Sequence, residues 1–390
     1  FENGQLQTEL NYKEGEIDGK WTKWYENGQI KEEENLKHGI RSGKSSEWYK
    51  NGQIKEEGRY LGDAKTIRWF ICTLNEEDLS GFKKEGKWKY WYENGQKSAE
   101  ENYKDGMQDG DWKKWHENGK FKNHKNYKND KDNLEITEWY ESGQKKSIIN
   151  YKDTQENPVN TQYSLNRIYY PNGRMTEWHE TGQKKLEGNY KYFGHKSSTV
   201  NLNVINQEGT WNEWHENGQK KSVYLYNKEG YLDGRWTEWH ENGQKSSEGY
   251  YKDEYRRGRI IGSLAPKNGC QNDTWKEWYE NGQIKSETNY SDDIENPNYD
   301  EYSIQKDNFL TGKKTEWHEN GHKSYETYFK NGHIDITYGR SELSWYENGQ
   351  LKREEELKLP TSIVKEWYEN GQLSFKGGTD SNFKKGLCIY

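Results

Sequence analysis

Cysteine, proline and methionine are scarce in this chain, with 3, 5 and 2 copies in 390 residues. Cys72, Cys270 and Cys388 are odd in number, far apart and form no CxxC pair. That excludes a disulfide framework or a zinc ribbon. Unpaired, buried thiols are the expectation, and the compartment is left open, with a lean to secreted or cell surface. Long apolar runs are also missing. No stretch approaches the ~20 residues of a helical membrane span. Neither sign of charge dominates: 59 basic and 66 acidic residues are interspersed to a net of -7. This disfavours electrostatic capture of nucleic acid or anionic lipid. Apolar residues are only 29% and the mean hydropathy is -1.49, which alone would suggest a disordered chain.

What is present argues otherwise. Aromatic residues make up 15% of the chain, with 19 Trp and 31 Tyr. Each such ring can bury roughly 150–250 Å², so rings can replace aliphatic residues as the source of apolar burial. A thin sheet rather than a deep core is expected.

The rings recur beside one turn. Trp24-Tyr25-Glu26-Asn27-Gly28-Gln29 is repeated with its glycine at Gly4, Gly28, Gly52, Gly95, Gly119, Gly143, Gly182, Gly218, Gly243, Gly282, Gly321, Gly349 and Gly371. Repetition at a fixed period has to be read before any local motif. Asn-Gly favours a two-residue type I′ hairpin turn, because both residues tolerate positive φ. The repeated turn residues are Asn27, Gly28, Asn94, Gly95, Asn118, Gly119, Asn217, Gly218, Asn242, Gly243, Asn281 and Gly282. That turn type pairs Glu26 with Gln29, Tyr25 with Ile30, Trp24 with Lys31 and Lys23 with Glu32, the last a cross-strand ion pair. A second, looser glycine-rich turn follows, as in Tyr12 to Gly19 and Tyr103 to Gly110. The expectation is all-β: an elongated array of antiparallel hairpins, one continuous domain over 1–390 with about 13 repeats. Charge runs such as Lys31 to Glu34 and Arg353 to Glu356 read as solvated strand segments. The chain opens inside a repeat at Phe1 and ends at Phe383 to Tyr390 in what looks like an unfinished one, so a segment of a longer array is expected.

Spacings near 24 residues alternate with longer ones of 36 to 43. The long units carry five insertions, at Leu61–Gly86, Asp153–Thr176, Tyr192–Gly209, Asp253–Asp273 and Ser291–Lys314. All fall at the second turn, hence on one edge. Strand-like runs within them, 67–72 and 199–205, could cover a face of the sheet or bind a ligand.

A second Trp recurs just before each turn. Trp24, Trp48, Trp91, Trp115, Trp139, Trp178, Trp214, Trp239, Trp278, Trp317, Trp345 and Trp367 form an aromatic ladder. Period two places Trp21 and Trp24 on opposite faces, unless a bulge brings them together. Such a ladder is either core or a surface for sugars, single strands or extended peptides. His116, His179, His215, His240 and His318 replace the turn Tyr, and partly exposed ring stacking is their expected role. His318-Glu319-Asn320-Gly321-His322 spells HExxH, but on a turn rather than a helix, so zinc is not expected. Asn272-Asp273-Thr274 and Asn289-Tyr290-Ser291 are chance glycosylation sequons. No catalytic triad, phosphate loop, metal set or cofactor motif stands out.

On these residues, Gly19 to Glu32 and Gly86 to Tyr103, the chain resembles the MORN-repeat variant, a group that includes bacterial YwqK-type antitoxin repeat proteins. The resemblance implies hairpins in a single-layer sheet, a scaffold or contact surface, and no catalytic residues. Its departures are the insertions and the loss of the first Trp at Ser45, Ile136, Met175, Lys314, Glu342 and Val364. The expected function is a non-enzymatic scaffold for protein contact or self-assembly. Alternatives are a fibre or surface subunit joined by strand addition, and an antitoxin-like binder of a partner protein. A glycan contact is possible on the ladder, and neither nucleic acid nor a membrane span is expected.

Overall fold

The computed structural model describes residues 1–62, 83–127, 133–153, 169–192, 205–252, 270–291, 309–330, 332–335, 337, 342–358, 361–380 and 383–388. Those residues form 29 strands and no α-helix. Contacts divide the chain into two compact units, Phe1–Gly182 with Tyr190–Ile205, and Gln183–Asn189 with Asn206–Tyr390.

In the first unit the strands begin with β1 (Thr8–Lys13), β2 (Glu16–Trp24), β3 (Ile30–Lys37), β4 (Ile40–Trp48), β5 (Ile54–Leu61), β6 (Lys83–Trp91) and β7 (Lys97–Lys104). Each pairs antiparallel with the next along the chain, and the pattern continues to Tyr169–Trp178. The second unit repeats it from Ile205–Trp214 to Phe383–Cys388. The charge runs at 31–34 and 353–356 are strand, as expected.

The two turn types are the reverse of the sequence expectation. At the repeated turn, the Tyr25 N–H donates to the Gln29 carbonyl at 2.8 Å and the Gly28 N–H donates to the Tyr25 carbonyl at 2.9 Å. The loop is therefore three residues, Glu26-Asn27-Gly28. Only Gly28 takes positive φ, at 82°, and Asn27 does not. This is a type I turn closed by a glycine bulge. Trp24 pairs with Ile30 instead of Lys31, and Lys31 is the bulged residue. Because the bulge absorbs one residue, Lys23 still faces Glu32, with Nζ to Oε2 at 2.9 Å. The tight two-residue turns lie on the opposite edge. Glu14-Gly15, His38-Gly39 and Asp105-Gly106 have positive φ at both positions, joining Lys13 to Glu16, Lys37 to Ile40 and Lys104 to Met107.

The strands flanking four of the insertions end at that second edge. Tyr60 pairs with Lys84, Asp153 with Tyr169, Tyr251 with Gln271 and Ser291 with Phe309, so the flanking strands stay in register around them. The runs 67–72 and 199–204 lie outside the described residues. So does Cys72, while Cys270 and Cys388 occupy strand positions.

Trp21 and Trp24 lie three residues apart in the unbroken strand β2, hence on opposite faces. The first-Trp face is the more deeply packed. Trp88 and Trp211 are fully buried, and Trp112 and Trp275 nearly so. Trp88 lies flat across the preceding strand over Gly58. A Cβ on Gly58 would stand 2.1 Å from the indole. Gly188 under Trp211 and Gly249 under Trp275 make the same contact. At four of the positions where the first Trp is missing, the facing residue on the preceding strand is not glycine. Ser45 faces Glu34, Met175 faces Ile149, Glu342 faces Thr327 and Val364 faces Glu355. The pairing runs unbroken through these departures.

Candidate functional site: the stacked turn edge

Each repeated Asn does two jobs. Its Oδ1 accepts from the N–H two residues on, as in Gln29 N to Asn27 Oδ1 at 3.2 Å. Its Nδ2 donates to a carbonyl of the next turn. In the first unit Asn27 reaches Lys50 at 2.9 Å, Asn94 reaches Glu117 at 3.2 Å and Asn118 reaches Glu141 at 2.8 Å. In the second, Asn217 reaches Glu241 at 2.7 Å, Asn242 reaches Glu280 at 2.6 Å and Asn281 reaches Glu319 at 3.0 Å. Asn3, Asn51, Asn320 and Asn348 extend the ladder. The side-chain oxygen of the preceding repeat's Gln packs over most of the turn glycines, such as Gln53 over Gly95, with Lys120 over Gly143 and His322 over Gly349.

A second ladder uses the ring before each turn. Tyr25, Tyr49, Tyr92 and Tyr140 donate their hydroxyls to the carbonyls of Trp48, Trp91, Trp115 and Trp178 at 2.7–2.9 Å. His215, His240 and His318 place Nε2 at 2.9–3.0 Å from the carbonyls of Trp239, Trp278 and Trp345, and His116 reaches Trp139 at 3.3 Å. Those imidazoles substitute for phenols as donors, which fixes the proton on Nε2. Ring stacking was the expectation; a structural hydrogen bond is the finding. Tyr92→His is therefore expected to keep stability within about 0.5 kcal/mol, while Tyr92→Phe loses about 1 kcal/mol. Chemical denaturation of the two variants checks this.

The HExxH residues are used in the same way. His318 bonds Trp345, and His322 Nδ1 lies 2.7 Å from the Glu347 carbonyl. Among the described residues no three metal-capable side chains converge.

All twelve second Trp residues are half-buried. Several carry a ring or a lysine against one face. Trp115, Phe121 and Trp139 stack at 5.4 Å steps. Elsewhere a lysine caps the ring of the next repeat: Lys97 over Trp115 at 5.3 Å, Lys145 over Trp178 at 5.5 Å, Lys184 over Trp214 at 5.5 Å, and Lys323 over Trp345 at 5.7 Å. A ring face already occupied by a neighbouring ring or a lysine is closed to flat stacking of sugars or bases. The capping lysines also hold carboxylates. Glu100 takes Lys87 at 3.0 Å and Lys97 at 3.2 Å, and Glu326 takes Lys313 at 3.0 Å and Lys323 at 2.6 Å. Burial pushes both carboxyls up, but the lysine hydrogen bonds outweigh it and hold them below the ordinary range.

Sequence reasoning missed a second asparagine column. Asn11, Asn35, Asn102, Asn150 and Asn289 donate to the main-chain carbonyls of Lys20, Lys44, Asp111, Arg174 and Lys313 at 2.6–3.1 Å. These carbonyls sit where the register slips before the first Trp. The recurring Asn-Tyr and Gly-x-Trp pairs are the signal that could have found it. Asn289, in a sequon, is held on both sides of its carboxamide.

A family model described as "MORN repeat variant" matches residues 1–14, 17–38, 41–61, 84–105, 108–129, 133–153, 171–192, 207–228, 232–253, 274–292, 310–331, 341–358 and 361–378. No curated protein matches the chain. Among solved structures, "Crystal Structure of TcdB2-TccC3 without hypervariable C-terminal region" aligns over 96% of this chain at 10% identity and a TM-score of 0.15. The chain spans 20% of that protein's length.

Proposed function

The chain belongs to the MORN repeat variant family, and from that premise we propose a non-enzymatic scaffold that mediates protein–protein contact or self-assembly. The observation that carries this reading is where the repeated polar side chains go. The asparagines and the tyrosines and histidines bond the neighbouring repeat, and the lysines of the lysine–glutamate sets cap its ring while holding a glutamate of their own repeat. Their chemistry is committed to holding one regular surface, and the carboxylates among them are neutralised by lysine rather than set against each other as acid and base. Among the described residues no helix is long and apolar enough to cross a membrane.

On the same premise the chain is one continuous array whose turn residues and Trp ladder maintain the surface. The antitoxin-like binder is the finer form of the proposal. Tagged full-length chain is expected to retain one protein partner, or its own copies, at fixed stoichiometry in size-exclusion chromatography with light scattering. Electron micrographs showing filaments would favour the fibre subunit. Turnover of a glycan or peptide that vanishes on changing one carboxylate would overturn the non-enzymatic reading.

A further inference from the structure

The repeated turn carries a reactive pair of residues. In Asn-Gly no Cβ shields the glycine nitrogen, so that nitrogen can attack the asparagine side chain. The glycine N–H gives up its proton, a bond forms from N to the asparagine Cγ, and the Cγ–Nδ2 bond breaks. Ammonia leaves with that proton. Water then opens the cyclic imide to aspartate or isoaspartate. The covalent setting is held constant along the chain. Glu-Asn-Gly-Gln stands unchanged at 2–5, 26–29, 93–96, 216–219, 241–244, 280–283, 347–350 and 369–372. Differences in rate among these turns therefore come from the fold.

Three contacts restrain the reacting groups. Gly95, Gly243, Gly282 and Gly349 donate their N–H to the carbonyls of Tyr92, His240, Tyr279 and Tyr346 at 2.9 Å. The Oδ1 of Asn94, Asn242, Asn281 and Asn348 accepts from the following glutamine N–H at 2.9 Å. Their Nδ2 groups donate to Glu117, Glu280, Glu319 and Glu369 of the next turn at 2.6–3.2 Å. The attacking nitrogen is thus turned to one partner, and both ends of the carboxamide to two others. Attack requires the carboxamide to swing off both.

Asn370 keeps two of the three contacts. Gly371 N donates to Tyr368, and Gln372 N donates to Asn370 Oδ1, each at 2.9 Å. The third is different. Among the described residues, Asn370 Nδ2 reaches only Gln372 Oε1, at 3.3 Å and within its own turn. That acceptor is a side chain that moves with the turn instead of a main-chain carbonyl fixed in another strand pair. Asn94, Asn242, Asn281, Asn348 and Asn370 are all exposed, so access of water does not distinguish them.

We infer that Asn370 is a site of spontaneous covalent modification, the first of the Glu-Asn-Gly-Gln turns to form the imide and isoaspartate, and that the carboxamide ladder withholds the same reaction from the turns it fastens. The ladder thereby preserves itself, because aspartate at a fastened turn has no Nδ2 to donate to the next one.

The test incubates the full chain in mildly alkaline buffer, folded and in urea, and follows each turn by peptide mapping with fragmentation that separates isoaspartate from aspartate. Rates in buffer are read where hydrogen exchange shows strands 97–104, 245–252 and 284–291 closed. In urea the identical turns should react at equal rates. Folded, Asn94, Asn242, Asn281 and Asn348 are expected to slow by at least about tenfold, since two carboxamide bonds must open. Asn370 should run about threefold or more ahead of them, the worth of one bond. Fastened turns that react as fast in the folded chain as in urea, or an Asn370 no faster than they are, would overturn the assignment.

Discussion

Gly58→Ala is expected to destabilise the first unit by about 3 kcal/mol, a large effect for one methyl group. The added Cβ would stand 2.1 Å from Trp88 Cδ2 and 2.3 Å from Cε2. Those are rigid ring atoms inside a fully buried indole, so the strain cannot be relieved by a rotamer change. Trp88→Ser alone should cost about 3–5 kcal/mol, because it removes the largest buried ring of that hairpin. It also strands the Arg59 carbonyl, to which Trp88 Nε1 donates at 3.1 Å. The double variant should cost less than the sum by about 1–3 kcal/mol. The chain already contains the matching combination, a larger residue beside a Ser, at Glu34 and Ser45. Denaturant unfolding read by exchange in 54–61 and 83–91 measures the cycle, and strict additivity would refute the Gly–Trp pairing.

The second large effect concerns the turn edge. Replacing Asn27, Asn94 and Asn118 together by Ala removes two hydrogen bonds per turn. At about 0.5–1.5 kcal/mol per bond, the loss should be roughly 3–9 kcal/mol. The Asp series should fall between wild type and Ala. Aspartate keeps the acceptor for the i+2 N–H but loses the donor, and its charge then faces a carbonyl. Urea midpoints of the two series check the order; an Asp series as stable as wild type would show that the inter-turn bond contributes nothing.

The hairpin repeat was legible because its signals are local. Aromatic strand residues, a turn glycine and the recurring spacing lie within a few positions of one another. Lys23 and Glu32 were paired correctly even though the turn was not, because the bulge at Lys31 compensates for the third loop residue. The turn type itself was hidden. Asn-Gly allows positive φ at both residues, but here the carboxamide of Asn27 is held by Gln29 and by a carbonyl 23 residues away. Such partners are up to 42 residues off, as for Asn51 and Glu93, so no window of sequence contains them. The same distance obscured why His stands for Tyr. Nothing near His240 names the Trp278 carbonyl that both rings can reach. Where the first Trp is lost the strands still pair, as Ile149 does with Met175.

The central claim is that consecutive turns are fastened by asparagine carboxamides donating to main-chain carbonyls. Exchange of the side-chain amide protons of Asn94 and Asn118, followed by NMR in the folded chain, tests it most directly. The fastened turns should exchange at least about tenfold slower than free asparagine. Exchange at the free rate in a chain whose strands remain protected would contradict the account.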